Sequence, residues 1–186
     1  MKKYTIVGGL NGTGKSSFTG VMKTSVTDLG VIVDVDQITA SVGGKALEGG
    51  KIALQRINDC LDKGVCFTQE TTLSGAFVSK TAKRAQELGY HVRLYYIGLD
   101  SLQECLERIE NRVRRGGHDI PREDVERRYR GRWEAVAAVL PYCDEAAFYD
   151  NDNGFQEVAL YRNGELRLIG DHRPAWILEL KSYLEG

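Results

Sequence analysis

A chain of 186 residues with 42% hydrophobic and 27% charged residues has the composition of a folded globular protein, long enough to bury a sizeable core. Its 21 glycines beside 3 prolines exclude collagen-like or Pro-rich material, and a formal net charge of −1 leaves no global field to attract nucleic acid or an anionic membrane. Apolar runs such as Val31-Ile32-Val33 fall far short of the ~18 residues of a membrane span, and the stretch after Met1-Lys2-Lys3 is too short for a signal peptide, so a cytoplasmic protein is expected.

Along the chain, Lys3 to Val7 is a short β-rich run stopped by Gly8-Gly9, and a helical pattern resumes after Gly14. Val31 to Asp34 reads as a second strand. Ile52, Leu54, Ile57, Cys60 and Leu61 recur at helical spacing and predict a helix from Lys51 to Lys63, stopped by Gly64. Val65 to Thr68 is a third strand, Ser74 to Leu88 a helix and His91 to Ile97 a fourth strand. Ser101 and Glu104 form a capping box for a helix to about Arg115, and Pro121 opens another that runs to about Leu140. Ala146 to Tyr149 is a fifth strand. Asn163-Gly164 between two β-rich runs (157–162 and 165–169) predicts a hairpin, and 174–184 a last helix. Alternating strands and helices imply an α/β three-layer sandwich on a five-stranded parallel sheet. With no linker, repeat or low-complexity stretch, the expectation is one domain over 1–186, a core of about 3–152 with a hairpin-and-helix appendage over 155–186. The four cysteines form no C-x-x-C pair and the three histidines have no zinc spacing, so buried thiols are expected.

Chemistry enters at Gly9-Leu-Asn-Gly-Thr-Gly-Lys15-Ser16, which matches G-x-x-x-x-G-K-[ST] at every fixed place, between a strand and a helix. Glycines let successive backbone N–H groups face one anion, and the helix adds its positive end. Gly9, Asn11, Gly12, Thr13, Gly14, Lys15, Ser16 and Ser17 are therefore candidates for holding a nucleotide, with Lys15 on the β- and γ-phosphates and the Ser16 hydroxyl on Mg²⁺. No N-K-x-D guanine motif is present, and Leu73-Ser74-Gly75 is a transporter-signature fragment broken by Ala76 and Phe77. A small nucleotide or metabolite kinase suits what remains; it needs a base, an acceptor pocket and a basic lid. Asp36, beyond the second strand, is the better placed of Asp34 and Asp36 to accept a proton, with a helix N-cap as its other reading. Gln69-Glu70-Thr71-Thr72 sets neutral donors beside a carboxylate, which suits a polyhydroxylated substrate; Glu70 can also hold the hydration shell of Mg²⁺. Nine arginines lie between Arg108 and Arg132, most expected to pair at i,i+4: Glu104 with Arg108, Glu110 with Arg114, Glu123 with Arg127, Asp124 with Arg128. The stretch from Arg112 to Pro121 differs, because Gly116-Gly117 reads as a hinge in a basic, phosphate-clamping lid.

Asn11-Gly-Thr-Gly-Lys-Ser16, Asp34-Val-Asp36, Glu70-Thr-Thr-Leu-Ser-Gly75, the stretch from Asn111 to Pro121 and Phe148-Tyr-Asp-Asn151, in this order, resemble the zeta-toxin family of P-loop kinases. The likeness is to its short members labelled as ABC-type ATPases, over about residues 3–152. The resemblance implies transfer of phosphate from ATP, with Mg²⁺, to a hydroxyl of a small metabolite such as UDP-N-acetylglucosamine. It implies Lys15 and Ser16 on ATP and metal, Asp36 as base, Glu70 and Thr72 facing the acceptor, and lid arginines on the transferring group. Arg112 and Arg115 are the foremost of these, with Arg114 left open. The segment between the lid arginines is shorter than in zeta toxins, and His118 stands where an arginine does there, facing the acceptor. The tail from Glu157 has no counterpart. An antitoxin partner comes with the family and is not visible in one chain. The alternative is a P-loop ATPase or nucleotide-binding regulatory protein without a small-molecule acceptor.

Overall fold

The computed structural model describes the backbone of residues 1–186 and every side chain but that of residue 46. Seven strands form one sheet: β1 (Lys3–Gly8), β2 (Val31–Asp34), β3 (Phe67–Thr71), β4 (His91–Gly98), β5 (Glu145–Asp150), β6 (Gln156–Arg162) and β7 (Glu165–Leu168), in the order β2-β3-β1-β4-β5-β6-β7. The first five are parallel, as expected. The sheet has seven strands and not five, because the hairpin joins it: β6 pairs antiparallel with β5, and β7 with β6. Asn163 and Gly164 both take positive φ, 53° and 83°, the geometry a two-residue hairpin turn demands. A hairpin signal specifies its own turn and says nothing about which edge it joins; here it covers the free edge of β5 with Val158 and Ala159, both buried.

The helices are α1 (Lys15–Ser25), α2 (Val35–Ser41), α3 (Ala46–Lys63), α4 (Phe77–Glu87), α5 (Leu102–Arg114), α6 (Arg122–Arg130), α7 (Arg132–Val139) and α8 (Ala175–Glu185). The capping box of α5 forms as expected. The long helix expected from 121 to 140 is broken at Gly131, which caps α6 and starts α7, and a 3₁₀ turn containing Pro141 ends it. The third strand begins two residues later than expected and runs on through Gln69, Glu70 and Thr71, so these polar residues lie in the sheet, not in a loop.

The core fills both faces of the sheet, with Tyr4, Ile6, Phe67, Leu94, Phe148 and Trp176 among its fully buried side chains. Trp176 brings α8 into it, 5.8 Å from the Tyr96 ring and 6.4 Å from that of Trp133. Gly98 at the end of β4 has no side chain because the Trp176 ring occupies that space. The buried Arg93 is satisfied by Thr5 Oγ1 at 2.7 Å and Asp28 Oδ1 at 2.5 Å. Cys60 and Cys105 are buried, Cys66 and Cys143 half-buried, and all four are free thiols. Burial pushes the Cys105 thiol up to about 11 and Cys143 to about 12, so neither is a nucleophile near neutral pH. No helix among the described residues is long and apolar enough to cross a membrane.

Removing the Trp176 ring leaves a cavity between α8 and β4. Trp176→Ala is expected to lose about 3–5 kcal/mol of stability, the usual cost of deleting a buried aromatic, read by urea denaturation; a loss below ~1 kcal/mol would mean that α8 is not part of the cooperative core.

Candidate active site

The site begins where β1 stops. Gly8 is the last residue of β1 and Lys15 the first of α1, so six residues turn the chain. Gly14, the N-cap of α1, takes φ 95°, and neither a side-chain cap nor an acidic residue covers the first turn. The α1 N–H groups are thus left free for an anion. Gly12, at φ 87°, passes so close to α5 that a Cβ there would lie 2.5 Å from the Cys105 carbonyl oxygen. Lys15 Nζ folds back and donates to the Leu10 carbonyl oxygen at 2.9 Å. Burial lowers the Lys15 pKa, opposed by the Asp36, Glu70 and Asp34 carboxylates.

Carboxylates come from the two strands on one side of β1. Glu70 of β3 lies in register with Val7 of β1, and its Oε2 accepts a hydrogen bond from Ser16 Oγ at 2.7 Å. Burial raises the Glu70 pKa; hydrogen bonds from Thr19 and Ser16 oppose this, the Asp34 charge adds to it and Lys15 reduces it. Asp34, the last residue of β2, caps α2 by accepting from the backbone N–H groups of Asp36 and Gln37 at 2.9 and 3.1 Å. The cap that Asp36 could have formed is therefore made by Asp34. Asp36 is exposed in the first turn of α2 and faces the same cleft.

Arginines close the cleft from α5 and α6. Arg108 Nη2 donates to the Asn151 carbonyl at 2.7 Å, Arg112 Nη2 to the His118 carbonyl at 2.7 Å, and Arg128 Nη1 to Asn11 Oδ1 at 2.7 Å. The Nε atoms of Arg112 and Arg128 are buried without a hydrogen-bond partner among the described residues. Of the four i,i+4 pairs expected, only Glu110–Arg114 forms. Glu104 serves the capping box, Arg127 pairs with Asp124, and Arg108 and Arg128 turn inward. Gly116-Gly117 is a helix stop of Schellman type: the Gly116 N–H donates to Val113 O at 2.9 Å and the Gly117 N–H to Arg112 O at 3.0 Å. A Cβ on Gly117 would stand 2.5 Å from Arg112 Cγ, so the turn wraps the Arg112 side chain.

The result is a cavity of about 360 Å³. It brings together Asn11, Gly12, Gly14, Lys15, Ser16 and Ser17 with Asp36, Glu70, Thr72 and Arg112 from the sequence-derived set, and adds Asp34, Arg108 and Arg128. Gly9 and Thr13 do not line it: they shape the loop from behind, Thr13 Oγ1 donating to the Leu10 carbonyl at 2.9 Å. Arg115 and His118 are exposed and lie outside it, because Arg115 follows the end of α5 and His118 sits beyond the helix stop. A signal for the arginines that sequence reading passed over was present: Cys105, Arg108, Ile109 and Arg112 share one face of α5, and Val125 and Arg128 one face of α6. The Ser16 hydroxyl and Glu70 carboxylate, hard oxygens in contact beside the loop, form a donor set that suits Mg²⁺.

No family model matches the sequence. A protein of Haemophilus influenzae described as uncharacterized is 31% identical over 126 residues, 65% of this chain and 88% of that protein. Among solved structures, a chain of AvrRxo1-ORF1:AvrRxo1-ORF2 with sulphate ions superposes with a TM-score of 0.69 at 17% identity, covering 96% of this chain and 63% of that one. The PezAT chromosomal toxin-antitoxin system of Streptococcus pneumoniae gives 0.62 at 17%, covering 99% of this chain and 78% of that one. AvrRxo1-ORF1:-ORF2 has also been solved with ATP, with a TM-score of 0.67 at 16% identity, covering 100% of this chain and 76% of that one. The fold is a zeta-toxin-like P-loop kinase fold. At 63%, this chain spans less than two thirds of the AvrRxo1 chain in the sulphate structure.

Because burial raises the Glu70 pKa above its unfolded value, the folded protein binds that proton more tightly, and the charged form costs stability above the ordinary carboxylate range. Glu70→Gln keeps an acceptor for Ser16 and removes the charge. It is expected to raise the melting temperature at pH 7.5 by about 2–4 °C, the size of a ~1 kcal/mol gain in a chain of this length. The advantage should vanish as pH falls below ~4, where the parent side chain is neutral in both states. A variant that melts below the parent at pH 7.5 would show that the hydrogen bonds from Ser16 and Thr19 outweigh burial.

Proposed function

From a chain that belongs to the family of that Haemophilus influenzae protein and has a zeta-toxin-like P-loop kinase fold, we propose an ATP- and Mg²⁺-dependent phosphotransferase acting on a hydroxyl of a small metabolite. One observation carries this reading: the phosphate loop, the Ser16–Glu70 pair, the exposed Asp36 carboxylate and the guanidinium groups of Arg108, Arg112 and Arg128 converge on one cleft. A nucleotide-binding module needs the loop alone; carboxylates and arginines on the far wall are what transfer requires.

In this reading the loop amides and Lys15 bind the β- and γ-phosphates, Lys15 exchanging the Leu10 carbonyl for phosphate oxygens. Asp36 takes the proton of the acceptor hydroxyl as its oxygen bonds to the γ-phosphorus, the bond from that phosphorus to the bridging oxygen breaks, and ADP leaves. Arg112 and Arg128, each with an unpartnered Nε, offer planar donor forks to the equatorial oxygens where charge spreads. Ser16 and Glu70 would hold Mg²⁺, which would supply charge neutralisation to the phosphates. Arg115, exposed outside the cleft, has no part in this reading.

For the acceptor, Thr71 and Thr72 offer hydroxyl groups, and an adjoining hollow of about 390 Å³ shares Arg128 with the cleft and adds Ser74, Ser79, Arg127 and Glu134. Its size and two guanidinium groups support a UDP-amino sugar such as UDP-N-acetylglucosamine as the first acceptor to test. An antitoxin-like protein partner is part of the same proposal, supported by the toxin–antitoxin system named for the Streptococcus pneumoniae structure.

The experiment is ADP release from ATP across a panel of nucleotide sugars, with mass detection of the product. Acceptor-dependent, stoichiometric ADP is expected; release at the same rate without any acceptor would favour an ATPase. Lys15→Ala should cut turnover by more than ~10-fold, since a phosphate contact is worth more than the ~1.4 kcal/mol that figure represents. Asp36→Asn should lower turnover ~10²–10⁴-fold with ATP affinity little changed, the range for a lost general base. Arg112→Lys and Arg128→Lys should lose turnover well beyond any loss of affinity, while Arg115→Lys stays near the parent. Equal turnover in all three arginine variants would remove the clamp from the proposal.

A further inference from the structure

The Asp150-Asn151 pair has no part in the transfer just described, yet it joins three parts of the molecule. Asn151 immediately follows β5, and its Nδ2 donates to the Thr13 carbonyl oxygen at 2.8 Å. Its own carbonyl oxygen accepts from Arg108 Nη2 at 2.7 Å, and its N–H donates to the Gly98 carbonyl at 3.2 Å. The seat is close-fitting: a Cβ on Gly14 would stand 2.5 Å from Asn151 Nδ2. On the other side, the Asp150 carboxylate, 3% exposed, accepts from Trp176 Nε1 at 2.8 Å and lies 3.1 Å from His172 Nε2. The Trp176 N–H in turn donates to Asp100 Oδ1 at 3.0 Å, so the start of α8 is fixed beyond the ends of both β4 and β5.

We propose that Asn151 is a positioning residue for the phosphate loop, held in register by α8 through Trp176 and Asp150. In a planar trans peptide the C=O and N–H of one unit point in opposite directions. Anchoring the Thr13 carbonyl on Asn151 therefore turns the Gly14 N–H the other way, to the cleft that Gly14 lines. Glycine adopts positive and negative φ about equally well, so without the anchor the Thr13–Gly14 peptide is free to rotate and the amide is lost to an incoming phosphate for part of the time. The same residue sets Arg108, whose Nη2 rests on its carbonyl. The C-terminal helix thus acts on nucleotide binding from outside the cleft. This inference rests on the cleft being a nucleotide site and is independent of transfer to any acceptor.

The test is calorimetric titration of the full chain with ATP and with ADP. Asn151→Asp is isosteric but cannot donate to a carbonyl; Asn151→Ala removes the group without adding charge. Both are expected to bind nucleotide ~10-fold more weakly or worse, the equivalent of one hydrogen bond to a structured loop. The melting temperature of the free protein should stay near the parent's, which a merely structural role would not allow. Trp176→Phe keeps a ring and deletes the indole N–H. It should weaken ATP binding ~3-fold, a partial loss of one such bond, and speed hydrogen exchange at the amides from Gly14 to Phe18. Both Asn151 variants binding ATP within ~2-fold of the parent would overturn the proposal, and faster exchange confined to α8 in Trp176→Phe would overturn the α8 arm of it. A parent that binds ATP tightly but phosphorylates no acceptor would sink the kinase reading while leaving this one standing.

Discussion

A loop that offers its N–H groups to an anion cannot spend them on its own hydrogen bonds, so its shape has to be imposed from outside. The phosphate loop between β1 and α1 obeys this constraint. Its internal bonds are few: the Thr13 N–H, at a long 3.4 Å, the Thr13 hydroxyl and the Lys15 ammonium all rest on the single Leu10 carbonyl, and among the bonds within the loop no other loop amide is spent. The remaining supports come from distant parts of the chain: the α5 backbone against Gly12, Arg128 of α6 on Asn11, and Asn151 after β5 on the Thr13 carbonyl. Bare glycines make these approaches possible, and strand order makes them available. Placing β1 between β3 and β4 sets Glu70 on one side of the loop and the β4–α5 connection on the other.

The cleft's charges follow from the same economy of partners. Lys15, Arg108, Arg112 and Arg128 face Asp34, Asp36 and Glu70 across one cavity, yet none of the four cations makes an ion pair with these acids. Each rests on a neutral oxygen: three backbone carbonyls and one amide. Hydrogen bonds to neutral acceptors are roughly half as strong as those to an anion, so in the proposed function phosphate oxygens would replace them with a net gain. Had the arginines paired with the carboxylates, a triphosphate would first have to break those pairs. The burial that lowers the Lys15 pKa and raises that of Glu70 is the cost of keeping the charges apart, and it is borne in stability.

The phosphate loop was legible in the sequence because its chemistry needs fixed residues at fixed spacing, and so was the alternation of strands and helices. Arg108 and Arg128 were assigned to surface pairs for a physical reason. Glu104 and Arg108, or Asp124 and Arg128, stand at the spacing of surface ion pairs, and an isolated helix would form them. In the folded chain Arg108 and Arg112 lie in the apolar stripe of Cys105 and Ile109, while Arg128 shares the stripe of Val125, so helix packing turns all three inward. Arg115 and His118 looked like lid residues from their glycine neighbours, but a Schellman stop uses those glycines to end α5 and wrap Arg112, leaving both residues outside. Glu70 was read as a candidate at the end of the third strand, and it lies within β3, one residue before that strand's last. Val65 drew the strand assignment too early, and polar Gln69, Glu70 and Thr71 do not look like buried strand until their neighbours β1 and β2 are known.

The C-terminal 30 or so residues were the least legible part, and they show why an added element need not touch a ligand to matter. A five-stranded sheet ending at β5 would leave that strand's edge exposed and the segment after it without a partner. Pairing β6 with β5 satisfies the edge, and α8 then covers the Tyr96 and Trp133 rings with Trp176. That indole has one polar atom, which cannot stay buried without an acceptor. The acceptor is Asp150, so the carboxylate has to sit at the end of β5, next to the residue that holds the phosphate loop. A packing requirement at the far end of the chain is thereby converted into a fixed peptide orientation at Gly14.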